Sequence, residues 1–122
     1  MNSKTVVVLG ASAKPDRHSN KAVRMLREYG HRVIPVHPVH KEIEGIPATG
    51  SLELITEPVD TVSVYVSPAR GTQLIPSFLT LHPRRVILNP GAESEELEHV
   101  LQERGIEVQR ACTLVLLRAG SF

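Results

Sequence analysis

Apolar residues recur along the chain in two alternating rhythms. Thr5–Leu9 is a short β-branched run, and Arg32–Val36, Thr61–Val66, Arg85–Leu88 and Ile106–Arg110 repeat it, giving five predicted strands. Such Val- and Ile-rich runs suit strands buried on both faces. Between them the apolar positions fall at helical spacing, as Ala22, Met25, Leu26 and Tyr29, then Leu74, Ile75, Phe78 and Leu79, then Leu97, Val100 and Leu101.

Local signals mark the ends of these elements. The first helix is expected to begin near Ser19, whose hydroxyl suits a cap, and to stop at Gly30. A helix over Arg70–Leu81 must hold Pro76 in its first turn or kink there. Glu93–Arg104 reads as a helix stopped by Gly105, and Ser51–Ile55 as one or two helical turns. Pro38–Gly50, with two Pro and two Gly, reads as a loop with a short extended piece near Ile46. Thr113–Leu117 is an apolar tail expected to extend the last strand. Strands separated by helices require parallel pairing. The expected fold over residues 1–122 is one α/β domain, a doubly wound, mainly parallel five-stranded Rossmann-like sheet with helices on both faces.

Composition narrows the function classes. A chain of 122 residues can bury one core, and its apolar content is mostly aliphatic, with two Phe, two Tyr and no Trp. A net charge of +1 gives no global attraction to nucleic acid or to a membrane surface. No apolar run approaches the roughly 20 residues of a membrane span, and no secretory core follows Met-Asn-Ser-Lys. The single cysteine cannot form an internal disulfide and fits a reducing cytoplasm.

The charge is nevertheless unevenly distributed. Seven basic residues (Lys14, Arg17, Lys21, Arg24, Arg27, Arg32 and Lys41) lie between Gly10 and Lys41 against only Asp16 and Glu28. From Glu42 to Val66 there are five acids and no Lys or Arg. Lys21, Arg24 and Arg27 read as the solvated face of the first helix, but the rest flank a glycine-bearing turn, where excess positive charge steers anions.

In a doubly wound sheet, ligands lie outside the carboxyl ends of the strands. After the first strand, Gly10 permits a tight turn, and small Ala11, Ser12 and Ala13 let backbone amides approach a phosphate. Lys14, Arg17 and Ser19 follow. Only the first glycine of G-x-G-x-x-G is present, and no acid stands at the end of the second strand to read a free ribose. Arg32, His37, Pro38, His40 and Lys41 occupy that region instead, which suits a ligand with a phosphorylated ribose, NADP or coenzyme A. Tyr65, Val66 and Ser67, then Asn89 and Gly91, would line the crevice from the third and fourth strands, Asn89-Pro90-Gly91 mainly as a structural turn. His37-x-x-His40 lacks the Cys or paired carboxylates that would complete a metal site. Cys112 in its apolar setting reads as a small buried hydrophobe. No nucleophile elbow or Ser/His/Asp arrangement is visible, so the chain reads as a cradle without reactive machinery.

These residues resemble the CoA-binding domain family, small Rossmann-like proteins related to the N-terminal domain of the succinyl-CoA synthetase α subunit. The resemblance spans nearly the whole chain. It rests on Val8-Leu9-Gly10-Ala11-Ser12 with Pro15, Arg17 and Ser19, on Gly30–Pro38, Ile43-Glu44-Gly45, Ser51-Leu52, Pro58-Val59-Asp60 and Pro90-Gly91, and on Gly105–Val108 with Cys112. It implies that Gly10–Ala13 wrap the CoA pyrophosphate, aided by Ser19 and Arg17. It further implies that Arg32 is the basic residue used on CoA, and that Tyr65, Val66 and Ser67 pass beside the adenosine or pantetheine. Many stand-alone members have Asn in place of His37 and an arginine where this chain has Ser67-Pro68. The synthetase also needs a phosphorylated histidine on a further domain, so ligase activity is not implied. The expected function is binding of coenzyme A or an acyl-CoA without catalysis. Its alternatives are an NADP-dependent oxidoreductase, or part of one, and an accessory module regulated by CoA. A homodimer or a protein partner is left open.

Overall fold

The computed structural model describes residues 3–122; Met1 and Asn2, which entered the reading of the amino terminus, lie outside them. Strands β1 (Thr5–Leu9), β2 (Arg32–Val36), β5 (Thr61–Val64), β6 (Arg85–Leu88) and β7 (Glu107–Arg110) form one parallel sheet in the order β2-β1-β5-β6-β7. Val7 sits opposite Ile34 on one side and Val62 on the other. Because side chains alternate along a strand, each face receives its own set. Val7, Leu9, Val62, Val64, Val86 and Leu88 pack with Phe78, Leu97 and Leu101. Val6, Val8 and Val33 pack with Val23, Leu26 and Leu117. Helices α2 (Pro68–Gln73), α3 (Ile75–Leu81) and α4 (Glu95–Glu103) cover the first face, and α1 (His18–Glu28) and α5 (Thr113–Arg118) the second. The expected doubly wound architecture is the one observed.

Four local expectations are corrected. The first helix begins at His18, with extended Arg17 at its N-cap and no side-chain cap; Ser19 lies buried inside its first turn. The Arg70–Leu81 helix is two helices, because Pro76 has no N–H for a continuous ladder and sits instead at the start of α3. The Pro38–Gly50 loop contains an antiparallel hairpin of β3 (Glu42–Ile43) and β4 (Ile46–Pro47). It is closed by Glu44 and Gly45 with φ of 53° and 75°, as a two-residue hairpin turn requires. Thr113–Leu117 does not extend the sheet. The Asn89 carboxamide oxygen accepts the Thr113 amide at 2.8 Å and turns the chain into α5, whose buried Leu114 and Leu117 lie three residues apart.

Candidate binding site

β1 connects outward to β2, and the chain then returns to β5 on the other side of β1. The strand order therefore reverses between β1 and β5, and at that point the carboxyl ends of both strands open a crevice. Gly10 stands there with φ of +85°. A Cβ on it would lie 3.0 Å from Val66 Cγ1 and 3.3 Å from the Tyr65 carbonyl carbon. Both the backbone sign and the close approach exclude a side chain.

The turn after Gly10 is fixed from the helix that follows it. Asn20, fully buried in α1, donates its Nδ2 to the Ser12 carbonyl at 2.9 Å and to Glu44 Oε2 at 3.1 Å. Its Oδ1 accepts from Arg24 Nε at 2.9 Å, and Arg24 Nη2 donates to the Pro15 carbonyl at 2.7 Å. Ser12 Oγ accepts the Lys14 amide, and the Ala11 amide reaches the Val36 carbonyl. Among the described residues the amides of Ser12 and Ala13 donate to nothing within the protein. The N-terminus of α1 has neither a side-chain cap nor an acid in its first turn. Free amides and an uncompensated helix dipole together favour an anion.

Beside this turn lies a cavity of about 240 Å³, lined chiefly by Leu9, Val36, Pro38, Leu52, Val66 and Leu74, with Arg70 as its charged member. A larger hollow of about 360 Å³, between Tyr29, His31, Leu117 and Phe122, lies at the opposite end of the sheet from the strand switch. Of the seven basic residues between Gly10 and Lys41, only Arg32 has a carboxylate partner among the described residues.

Gly10, Ala11, Ser12, Ala13, Lys14, Arg17 and Ser19 come together in or beside the turn, and Pro38 and Val66 reach it through the cavity wall. His37 shapes the neighbouring loop, since its Nδ1 accepts the Val39 and His40 amides. Lys41 precedes β3, with its side chain exposed. Ser67 is spent as a cap, its Oγ accepting the Arg70 amide at 3.2 Å. Tyr65 reaches the crevice by its backbone alone; its ring packs into the α1 side of the core. Its hydroxyl is buried beside Ser63 and Thr113, and burial pushes its pKa up to about 12.

Two expectations about side chains fail. Arg32 begins β2 opposite Thr5, at the amino edge of the sheet, roughly 13 Å from Val36 at the rise of a strand. There it binds Glu57 through two hydrogen bonds of 2.6 and 2.8 Å, which hold its pKa above the ordinary value. Asn89 is fully engaged inside the protein, donating to Ser63 Oγ and the Val64 carbonyl and accepting from Thr113. Gly91 likewise belongs to the turn before α4, where its amide donates to Glu93 Oε1 at 2.8 Å. Sequence reasoning in turn missed Asn20, Arg24 and Arg70. Asn20 could have been found, because it is a polar residue one helical turn before the core residue Val23.

Residues 4–118 match the family described as CoA binding domain. The chain belongs to the CoA binding domain family. Relatives include the uncharacterized protein YneT of Bacillus subtilis, 31% identical over 103 residues, which cover 84% of this chain and 76% of that protein. An ADP-forming acetate–CoA ligase of Archaeoglobus fulgidus is 30% identical over 106 residues, covering 83% of this chain but only 15% of the ligase. A solved structure from Thermus thermophilus superposes with a TM-score of 0.89 at 38% identity, covering 98% of this chain and 91% of that one. This CoA binding domain chain thus corresponds to one small part of the ligase. Among its described residues no helix is long and apolar enough to cross a membrane.

Proposed function

We propose that this chain binds coenzyme A or an acyl-CoA as a ligand at the β1–β5 crevice. The observation that carries the proposal is the turn at Gly10–Lys14, whose unbonded amides adjoin the uncapped start of α1. In this reading the pyrophosphate accepts from the Ser12 and Ala13 amides and from the first turn of α1. The adenine, flat and weakly polar, enters the cavity between Pro38 and Val66. Lys41, together with Lys14 and Arg17, supplies positive charge for the ribose phosphate and pyrophosphate. Arg32 has no part in this, because Glu57 holds it at the other edge of the sheet.

Family membership favours CoA over NADP, and the absence of an acid after β2 is compatible with either. Thermal unfolding of the purified chain distinguishes them. CoA at a hundredfold excess over its Kd should add about 2.7 kcal/mol of stability and raise Tm clearly more than NADP or NAD does. A transition that CoA leaves in place would sink the proposal. Dephospho-CoA should bind more weakly than CoA, and Lys41→Gln should narrow that gap; an unchanged gap would remove Lys41 from the ribose phosphate.

A further inference from the structure

His37 is held in an unusual way for a loop histidine. Its ring Nδ1 accepts two backbone amides, from Val39 at 3.0 Å and His40 at 2.9 Å. Its own amide donates to the Thr49 carbonyl at 3.0 Å, and the Thr49 amide donates back to the Pro35 carbonyl at 2.9 Å. The loop between β2 and β3 is therefore folded around one ring nitrogen and tied to the segment Thr49–Ser51. Val36, Pro38, Gly50 and Ser51, which bracket these bonds, all line the cavity at the strand switch.

A nitrogen that accepts N–H groups carries no proton, so the neutral ring holds its proton on Nε2. Protonating Nδ1 would expel both amides and unfold the turn. The surroundings oppose that step. The His40 ring centroid is 4.4 Å from that of His37, and Lys41 follows. Thr49–Ser51 contributes no ionisable side chain, and among the described residues the one charged group in the cavity lining, Arg70 of α2, is also a cation. Burial and His40 both hold the His37 pKa below its ordinary 6.5.

We infer that His37 is a positioning residue whose unprotonated Nδ1 builds the outer wall of the crevice, so that the wall and the grip on a nucleotide weaken together in acid. This rests on the CoA reading for its ligand but not for the wall itself. A bound phosphate would favour an imidazolium nearby; the two amide bonds and the His40 ring act against it. If only the folded wall binds, apparent affinity falls in proportion to the population that keeps Nδ1 free.

The test is CoA affinity by calorimetry on the whole chain between about pH 8 and 5, for wild type, His37→Asn, His37→Ala and His40→Gln. The ribose phosphate of CoA itself titrates near pH 6, so the comparison between variants carries the signal. An Asn oxygen accepts amides two residues on and does not titrate. His37→Asn should therefore restore the binding lost in His37→Ala and give the flatter profile. Wild type should lose roughly tenfold more affinity than His37→Asn across that range, and His40→Gln, which removes a neighbour that opposes protonation, should keep the wild-type slope but begin its loss at higher pH. Parallel wild-type and Asn profiles, or wild-type binding that tightens in acid relative to Asn, would overturn the inference. If CoA binds none of the proteins, the function proposal fails separately, and amide NMR decides the wall. The Val39 and His40 resonances should then move with the His37 ring titration, and resonances that stay fixed through it refute the wall.

Discussion

α1 and α4 start alike, each after a buried parallel strand and a turn with a positive-φ glycine, yet their N-termini are finished differently. α4 is satisfied from within. Ser94 Oγ accepts the Leu97 amide at 3.2 Å, Glu95, Glu96 and Glu98 stand in the first turn, and Glu93 accepts the Gly91 amide. α1 has Arg17 at its N-cap, no capping bond and no acid. A cap is worth about 1 kcal/mol, so the start of α1 forgoes stabilisation that α4 takes. The difference separates a helix end that serves only the fold from one still able to accept an external anion.

The sharpest way to break this comparison is to close the α1 turn. Gly10→Val adds a side chain at positive φ against Val66. The backbone term of about 1–2 kcal/mol and overpacking of about 1–3 kcal/mol predict a loss of roughly 2–5 kcal/mol in urea unfolding, with CoA binding lost. A variant that stays within 1 kcal/mol of wild type and still binds would show the close approach to be dispensable. Next in size, Ser94→Ala should cost about 1 kcal/mol with CoA affinity unchanged; a matching loss of affinity would erase the distinction between the two helix starts.

Arg17→Asp should do the reverse at α1. By giving the helix an acidic cap it should raise the stability of the free chain by about 0.5–1 kcal/mol, while CoA affinity drops at least tenfold. Binding that improved alongside stability would mean that the α1 terminus does not meet the phosphates. The smallest effect concerns Glu93, whose carboxyl is held below its ordinary 4.5 by the amides of Glu93 itself and Gly91. A depressed folded pKa gives stability that is complete above the unfolded value and lost as pH falls through the folded one. Glu93→Gln should therefore flatten the acid limb of stability against pH, and an unaltered limb would leave α4 without this contribution.

The sheet was legible because Val-rich runs at Thr5–Leu9 and Thr61–Val64 have no other comfortable environment than a doubly covered strand. The α5 helix was not. Thr113–Leu117 has the composition of a strand, and its direction is decided by Asn89, whose bond to the Thr113 amide spans 24 residues. For the same reason Asn89 was placed in the crevice: position after a strand shows where a residue stands, not which way its amide is committed. Arg32 was misplaced by a related gap. Its nearness in sequence to His37 hides the length of a whole strand, and Glu57, 25 residues on, holds it at the far end. The turn at Gly10 was readable because its requirement is local, whereas its pinning by Asn20 and Arg24 depends on how α1 packs.

Pro35 carries a further consequence. It lies in β2, at one border of the sheet, and turns its carbonyl outward to the Thr49 amide, so its missing N–H falls on that same outer side. With Thr49 laid across it, β2 offers little ladder to an incoming strand. The opposite border, β7, has charged, exposed ends in Glu107 and Arg110, each in an ion pair with its own chain. Edge-to-edge growth, the usual route by which an open parallel sheet aggregates, is thus obstructed at both borders, and on one of them the obstruction is the loop that also walls the crevice.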